Sequence, residues 1–255
     1  MIPKVIHYCW FGGNPKPKDV LKCIESWKRY LPDYKIIEWN EGNYDVNKCQ
    51  YMADAYKEKK WAFVSDYCRL DVVYQHGGIY LDTDVEVVRS FDSLLGMKMF
   101  CGFESRDLKQ QKRWGMKLEE SVAFGLGFGA ERCHPVIKEM LDLYSKLHFY
   151  NEDGTLNLLS CPVYQTQVLV NNGLIQDGKT QMFNGGKAFS AEYFCPQSNL
   201  TDEMLYFTEN TYSIHHFSNS WTDRPVKLKM RRTLNKILPF TVADKLSSII
   251  CFPFK

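Results

Sequence analysis

The stretch SDYCRLDVVYQHGGIYLDTD, residues 65–84, decides the fold prediction for this chain. Its first part places apolar residues at helical spacing and ends on a glycine pair at 77–78, where glycine allows the left-handed backbone that stops a helix. Residues 79–81 (IYL) then read as a short strand that leads directly into Asp82-Thr83-Asp84. A helix that returns at once to a strand is the repeating unit of an α/β sheet.

Strands and helices also alternate before this stretch. A strand is predicted at 2–8, and a second strand at 34–39 follows a helix that stops near Pro32. This alternation favours a mainly parallel, Rossmann-like α/β sheet with helices on both faces, and such sheets bind ligands at the carboxyl ends of their strands. Further helices are predicted at 62–75, 135–148 and 162–171, and short strands at 187–194 and 211–216.

The composition excludes several classes of protein. With 255 residues, 45% hydrophobic and 24% charged, the chain has the composition of a globular protein and not of a fibrous or disordered one. A formal net charge of +2 is too balanced for a protein whose main partner is a nucleic acid. Nine scattered cysteines without a C-x-x-C pair, and no run of ~18 apolar residues, favour a reduced, cytoplasmic setting.

Two carboxylates follow the strand at 79–81. Alternate side chains of an extended segment face the same way, so Asp82 and Asp84 are predicted to point together into a cleft. Paired hard oxygen donors suit Mn²⁺ or Mg²⁺, which bridge protein carboxylates to substrate phosphates. A bare D-x-D is weak evidence, because aspartates near turns are common caps.

The preceding helix carries a second charged pair. Asp66 and Arg69 share one face of that helix and are predicted to point toward the same end of the sheet. The alternative is an exposed helical ion pair, which contributes little to stability.

Taken together, these motifs carry a family resemblance. The chain resembles glycosyltransferase family 32, of the type that builds capsular and surface polysaccharides, and more distantly the clostridial glucosylating toxins. Cys161 departs from the pattern, since relatives often place glycine there. The resemblance rests on the 65–84 string, Ile2-Pro3-Lys4-x-Ile6-His7-x-x-Trp10, the stretches 127–135 and 161–166, and Ile214-His215-His216-x(3)-Ser220-Trp221.

The resemblance implies a GT-A fold in residues 1–224 that transfers a sugar from a nucleotide donor with retention of configuration, using Mn²⁺ or Mg²⁺. It implies catalytic roles for Asp66, Arg69, Asp82 and Asp84, and a metal site of Asp82, Asp84 and His215. The implied donor-binding residues are His7, Trp10, Ser65, Asp66, Arg69, Tyr80, Asp82, Ser220 and Trp221.

Two points of the site stay open. His215 is preferred over His216 as the metal ligand because it follows the apolar Ile214, but either imidazole is an acceptable ligand. For the retaining step, the sequence does not choose among Glu104, Glu119, Glu120 and Gln165.

The C-terminal segment 225–255 is predicted to be a basic amphipathic helical tail. It holds seven Lys/Arg and one acidic residue, a net charge of +6, while the rest of the chain carries −4. This composition fits a helix on an anionic membrane surface, with a solvated terminal helix as the alternative. Attachment to the inner face of the membrane would suit a lipid-linked oligosaccharide acceptor.

These expectations combine into one function. The chain is predicted to move a hexose from a nucleotide-sugar, UDP-galactose first and a UDP-hexose ahead of GDP-mannose, to a glycan or lipid-linked acceptor of surface polysaccharide. The alternatives are a toxin-like glycosyltransferase that modifies a protein, and a non-catalytic module that binds a nucleotide-sugar.

Overall fold

The computed structural model describes residues 1–104, 120–218 and 225–250 of the chain. In chain order, the helices and strands are β1 Val5–Cys9, α1 Lys18–Tyr30, β2 Lys35–Trp39, α2 Gln50–Lys57, α3 Trp61–His76, β3 Gly78–Tyr80, β4 Val85–Val87, β5 Met99–Gly102, β6 Phe128–Ala130, α4 Pro135–Tyr144, α5 Cys161–Asn171, β7 Gln181–Phe183, β8 Gly186–Phe189, α6 Ala191–Phe194, β9 Ser213–His215, α7 Pro225–Asn235 and α8 Phe240–Ile250. Short 3₁₀ turns lie at Asp92–Leu94 and Phe124–Leu126.

A seven-stranded mixed sheet forms the centre of the molecule. Its strand order is β2-β1-β3-β6-β5-β8-β7, with parallel pairing of β1 to β2, β1 to β3 and β5 to β8. Strand β6 is antiparallel to both β3 and β5, so β5 runs in the same direction as β3. The carboxyl ends of β1, β3, β5 and β8 therefore meet at one edge, where α/β sheets bind their ligands.

Helices cover both faces of this sheet, which confirms the predicted α/β class. Along β5, Met99 and Cys101 belong to one hydrophobic cluster, whereas Phe100 between them belongs to the other. This alternation is the two-residue period of a strand with both faces buried. Helices α2 to α5 contribute to the first cluster and α1 to the second.

Several short elements were not predicted from the sequence. Strands β4 to β7 have three or four residues each, too few for alternation of polar and apolar residues to identify them in the sequence. The strand predicted at 187–194 ends at Phe189, and α6 follows it at Ala191. The helix predicted at 135–148 ends at Tyr144.

The α3–β3 connection depends on its two glycines. Gly77 and Gly78 have φ values of +65° and +110°, in a region that side chains with a Cβ rarely occupy. A Cβ on Gly77 would also lie 3.0 Å from the Arg132 amide nitrogen. The glycine pair therefore lets α3 return directly to β3 and places Asp82 at the sheet edge.

Strand β4 is held in place by helix α1. Trp27 is fully buried, and its indole Nε1 donates a hydrogen bond of 2.7 Å to the Val85 carbonyl oxygen. Val85 follows Asp84 directly, so α1 fixes the backbone just beyond the paired aspartates. Strand β4 then pairs with β9 in a separate two-stranded antiparallel sheet.

The C-terminal residues form a helical hairpin of α7 and α8, which confirms the predicted helical appendage. Asp244 on α8 lies 3.5 Å from Lys227 Nζ and 3.3 Å from Arg231 Nη1 on α7. Over the described part of the chain, no helix combines the length and apolar character that crossing a membrane requires.

We expect Trp27→Phe to lower the free energy of unfolding by about 1–3 kcal/mol, because the buried Val85 carbonyl loses its donor while the apolar ring is largely kept. Denaturant unfolding monitored by circular dichroism measures the change. Leu21→Ala, on the exposed side of the same helix, is the matched control and should cost much less. Equal stability of Trp27→Phe and the wild type would contradict this account.

Candidate active site

The two aspartates leave β3 at the carboxyl edge of the sheet. Tyr80 Oη donates a hydrogen bond of 3.0 Å to Asp82 Oδ1, and the Asp82 amide donates one of 3.2 Å to the Gly125 carbonyl. Gly125 lies so close that a Cβ built on it would be 2.2 Å from Asp82 Oδ2. The Asp82 carboxylate is thus fixed from two sides.

Pairing of β4 with β9 brings a histidine to these carboxylates. Val85 lies opposite His215 in the register, so His215 is adjacent to the residue that follows Asp84. Its Nε2 atom lies 3.2 Å from Asp84 Oδ1 and 3.9 Å from Asp82 Oδ2. His216 faces away, with its Nε2 2.9 Å from Glu86 Oε2. The structure therefore groups His215, and not His216, with the aspartates.

Ser218 completes the surroundings of Asp84. Its amide nitrogen and its hydroxyl donate hydrogen bonds of 2.9 and 3.0 Å to Asp84 Oδ2. The other oxygen of Asp84 is left to face His215. Sequence reasoning missed Ser218, although a hydroxyl residue two positions after His216 was the available sign.

Electrostatic interactions within this group shift the pKa values of Asp82 and His215. Burial alone would raise the pKa of Asp82, but Arg69 and His215 outweigh it and lower that pKa to about 2. Burial would lower the pKa of His215, whereas the carboxylates of Asp84 and Asp82 raise it overall. Asp82 is consequently ionised throughout the neutral range.

These three residues fit a divalent cation. One ligand atom from each of Asp82, Asp84 and His215 lies within 4.8 Å of the others. Two carboxylates and one imidazole form a donor set that suits Mn²⁺ and also accepts Mg²⁺. The amide of Phe217 donates to His215 Nδ1 at 3.2 Å, and Nε2 is the ring nitrogen that faces the carboxylates.

Arg69 lies between two acidic side chains in the interior. Its Nη2 atom is 3.0 Å from Asp66 Oδ1 and 3.3 Å from Asp82 Oδ1. The side chains of Arg69 and Asp66 are only 4% and 6% exposed, so the pair is not the exposed helical ion pair of the alternative interpretation. Burial raises the pKa of Asp66 to about 6, against the lowering effect of Arg69. Cys161 Sγ, 3.9 Å from Arg69 Nη1, closes the group from helix α5.

A cavity of about 240 Å³ opens over these residues. One wall is aromatic and comes from the β1 turn and α3, where Trp10 and Trp61 lie. The charged group also lines the cavity, through Arg69, Asp82, Asp84 and His215. The lining residues named in the sequence analysis are Trp10, Ser65, Arg69, Tyr80, Asp82, Asp84 and His215.

Two further predicted donor-binding residues, His7 and Asp66, are not among the residues that line this cavity. His7 is fully buried between the Gly77 carbonyl oxygen, 2.8 Å from its Nε2, and the Trp39 indole, so the structure gives it a place in the core. Asp66 does not line the cavity, but it pairs with Arg69, which does. Ser220 and Trp221 lie outside the described residues.

The residues considered for the retaining step are spread over two places. Gln165 is fully buried, and its Oε1 accepts a hydrogen bond of 3.0 Å from the Phe124 amide. Glu104 and Glu120 line a second cavity, of about 270 Å³, together with Asp177 and Glu192. Glu119 lies outside the described residues. The geometry does not single out one of them.

Comparison with known proteins supports the glycosyltransferase class. Residues 17–100 match the family described as glycosyltransferase sugar-binding region containing DXD motif. The chain is 29% identical over 249 residues to the uncharacterized glycosyltransferase L373 of Acanthamoeba polyphaga mimivirus, covering 95% of this chain and 92% of that protein. It is 31% identical over 102 residues to inositol phosphoceramide mannosyltransferase 3 of Schizosaccharomyces pombe, covering 37% of this chain and 27% of that protein.

Among solved structures, the PaToxG glycosyltransferase is similar with a TM-score of 0.45 and 24% identity, covering 67% of this chain and 69% of that one. The prediction that the chain is an enzyme of the glycosyltransferase class is confirmed by the family match and the named relatives. The DXD segment lies at the carboxyl edge of a mixed α/β sheet, as predicted for an α/β fold. Membership of family 32 and the likeness to clostridial toxins stay predictions.

We expect Gly125→Ala to weaken Mn²⁺ binding at least tenfold, because the new methyl group would displace the Asp82 carboxylate. The backbone of Gly125 does not have a positive φ, so the substitution acts through this contact. Isothermal titration with Mn²⁺ measures the affinity. Gly96→Ala is the matched control, since a Cβ there meets nothing within 4 Å. Equal Mn²⁺ affinities for the two variants would refute the role of Gly125.

Proposed function

We propose that this protein is a metal-dependent, retaining glycosyltransferase that moves a hexose from a nucleotide-sugar to a glycan acceptor. The observation that carries the proposal is the group of Asp82, Asp84 and His215, whose ligand atoms lie within 4.8 Å, beside a cavity with an aromatic wall. A nucleotide base stacks on aromatic faces, and a diphosphate binds divalent cations, so the cavity offers both ends of such a donor a partner.

The aromatic and the charged residues of the cavity would bind different parts of the donor. Trp10, on the aromatic wall, would contact the base, and its indole is oriented by a hydrogen bond of 2.6 Å from Nε1 to the Asn14 carbonyl. Arg69 and Tyr80, beside Asp82, would contact the sugar. UDP-galactose is our first choice of donor. The names of two fission-yeast relatives, both inositol phosphoceramide mannosyltransferases, make GDP-mannose the second donor to test.

The residues of the charged group prepare the site for a leaving diphosphate. A bound cation would offset the negative charge that develops on the diphosphate as the sugar bond breaks. Arg69 keeps Asp82 ionised at neutral pH, as the lowered pKa of that carboxyl reflects. Ser218 fixes one oxygen of Asp84 and leaves the other beside His215.

The acceptor would enter from the neighbouring part of the same sheet edge. The second cavity begins where β5 and β8 end, with Glu104 and Ser190 just beyond these strands. Carboxylates and hydroxyls are suited to accept hydrogen bonds from sugar hydroxyl groups. We place the glycan acceptor here and keep Glu104, Glu119, Glu120 and Gln165 as candidates for the retaining step.

We expect Asp84→Asn to reduce Mn²⁺-dependent hydrolysis or transfer of the donor at least a hundredfold, with an unchanged circular dichroism spectrum. The amide removes one anionic ligand without changing the shape of the side chain. Product release from UDP-galactose and GDP-mannose, with Mn²⁺ and with excess chelator, measures the effect. Asp33→Asn, an exposed carboxylate far from the site in sequence, is the control. Full turnover by Asp84→Asn, or by the wild type in chelator, would overturn the metal assignment.

We further propose that residues 225–255 form an appendage that brings the enzyme to an anionic membrane and a lipid-linked acceptor. The structure of the hairpin separates buried or paired basic residues from exposed ones. Lys227 and Arg231 pair with Asp244, and Arg232 pairs with Asp202. The exposed residues of the hairpin include the basic Lys229, Lys236 and Lys245 and the apolar Ile237, Val242 and Leu246.

We expect the wild type to co-sediment with vesicles that contain anionic lipid at low salt and to dissociate at high salt, since each lysine near the surface contributes about 1 kcal/mol. The triple variant K229E/K236E/K245E should lose this binding. The control K22E/K28E/K57E replaces three exposed lysines outside the hairpin and changes the net charge by the same amount. This control should still bind the vesicles. Absence of binding by the wild type at low salt would make the appendage a solvated hairpin.

A further inference from the structure

The C-terminal hairpin reaches the backbone segment that supports the metal site. Arg232 on α7 is buried, although it belongs to a helix that the sequence marks as a basic tail. Its Nη2 atom donates a hydrogen bond to the Phe217 carbonyl oxygen, and its Nη1 atom pairs with Asp202 at 3.0 Å. The contact lies one residue before Ser218, which holds Asp84.

A single peptide group separates Arg232 from the Asp84 carboxylate. The Phe217 carbonyl and the Ser218 amide belong to the same planar unit, and in a trans peptide the two groups point in opposite directions. The carbonyl receives the guanidinium on one side, while the amide donates to Asp84 Oδ2 at 2.9 Å on the other. A cation on the carbonyl polarises the peptide and strengthens its N–H as a donor.

Phe217 needs such a support because its backbone is strained. Its φ of +48° is in the left-handed region, which costs a residue other than glycine roughly 1–2 kcal/mol. Its amide donates to His215 Nδ1, and its ring lies 4.3 Å from the His215 ring centroid. The conformation of this one residue therefore sets the positions of both His215 and Ser218.

We propose that Arg232 is a positioning residue for the metal site, acting through the Phe217–Ser218 peptide group. This inference rests on the proposed function, because it assigns Arg232 to the cation site of Asp82, Asp84 and His215. A second tie from the same helix keeps α7 in place, since the buried Asn235 donates from Nδ2 to the Leu200 carbonyl oxygen at 3.0 Å. The hairpin is then a working part of the catalytic unit.

The charge of Arg232 allows a sharp test. Removing a nearby positive charge should by itself strengthen cation binding, because like charges repel. Removing the support of the Phe217–Ser218 peptide should weaken it, because Asp84 and His215 lose their fixed positions. The two effects have opposite signs, so the direction of the change in Mn²⁺ affinity separates a positioning role from a purely electrostatic one.

The experiment compares Arg232→Met and Arg232→Lys with the matched control Arg231→Met. In the wild type, the guanidinium of Arg231 contacts Asp244 within the hairpin. All are full-length proteins, with folding checked by thermal unfolding. We expect Arg232→Met to weaken Mn²⁺ affinity about fivefold or more and to speed hydrogen exchange at the Ser218 amide. Arg232→Lys, which keeps the charge but loses the two-pronged contact, should be intermediate. Arg231→Met should match the wild type in both measurements.

The possible failures can be told apart. Unchanged or tighter Mn²⁺ binding in a folded Arg232→Met or Arg232→Lys variant, with wild-type exchange at Ser218, overturns the positioning role and leaves the metal site standing. A wild type that binds no Mn²⁺ overturns the cation site of the proposed function and the role of Arg232 with it. Equally weak binding in Arg231→Met would show that disturbing α7 in general, and not the loss of the Arg232–Phe217 contact, has this effect, and also overturns the proposal.

Discussion

The burial of one guanidinium between two carboxylates is the interaction on which the site depends. Arg69 leaves water almost completely, and a charge so placed is tolerated only when partners offset the loss of solvation. Asp66 supplies one partner from the same helix, and Asp82 supplies the other from the end of β3. Because buried Arg69 needs both carboxylates, its pairing with Asp82 holds α3 against the sheet edge and fixes the position of Asp82.

The second aspartate is fixed by elements far away in the sequence. Asp84 receives Ser218 and faces His215, and both come from the chain that follows β9. Antiparallel pairing of β4 with β9 brings these segments together, and Trp27 holds the β4 side. The two aspartates are only two positions apart in the sequence, but each belongs to a different structural network, and the His215 imidazole lies between them.

The sequence predicted the part of the site that is local. Residues 65–84 contain a helix, a glycine turn, a strand and two carboxylates whose mutual geometry follows from regular periods, and the structure has this order. Gly125 and Ser218 were not found, since their role is a close approach across more than forty residues, which no local pattern records. The burial of His7 against the Gly77 carbonyl oxygen and the Trp39 indole was also not predicted, because the direction of a strand side chain depends on which face of the sheet the cleft occupies.

Arg232 illustrates the limit of composition as a guide. Counting charges makes 225–255 a uniformly basic tail, and a uniform tail suggests one role at a surface. The fold divides these charges: Lys227 and Arg231 share the carboxylate of Asp244, and Arg232 is buried against the Phe217 carbonyl. A buried charge interacts strongly with its partners because little water lies between them. Water and salt screen the interactions of an exposed charge. The same helix can thus support Asp84 on its inner side and present lysines to an anionic surface on its outer side.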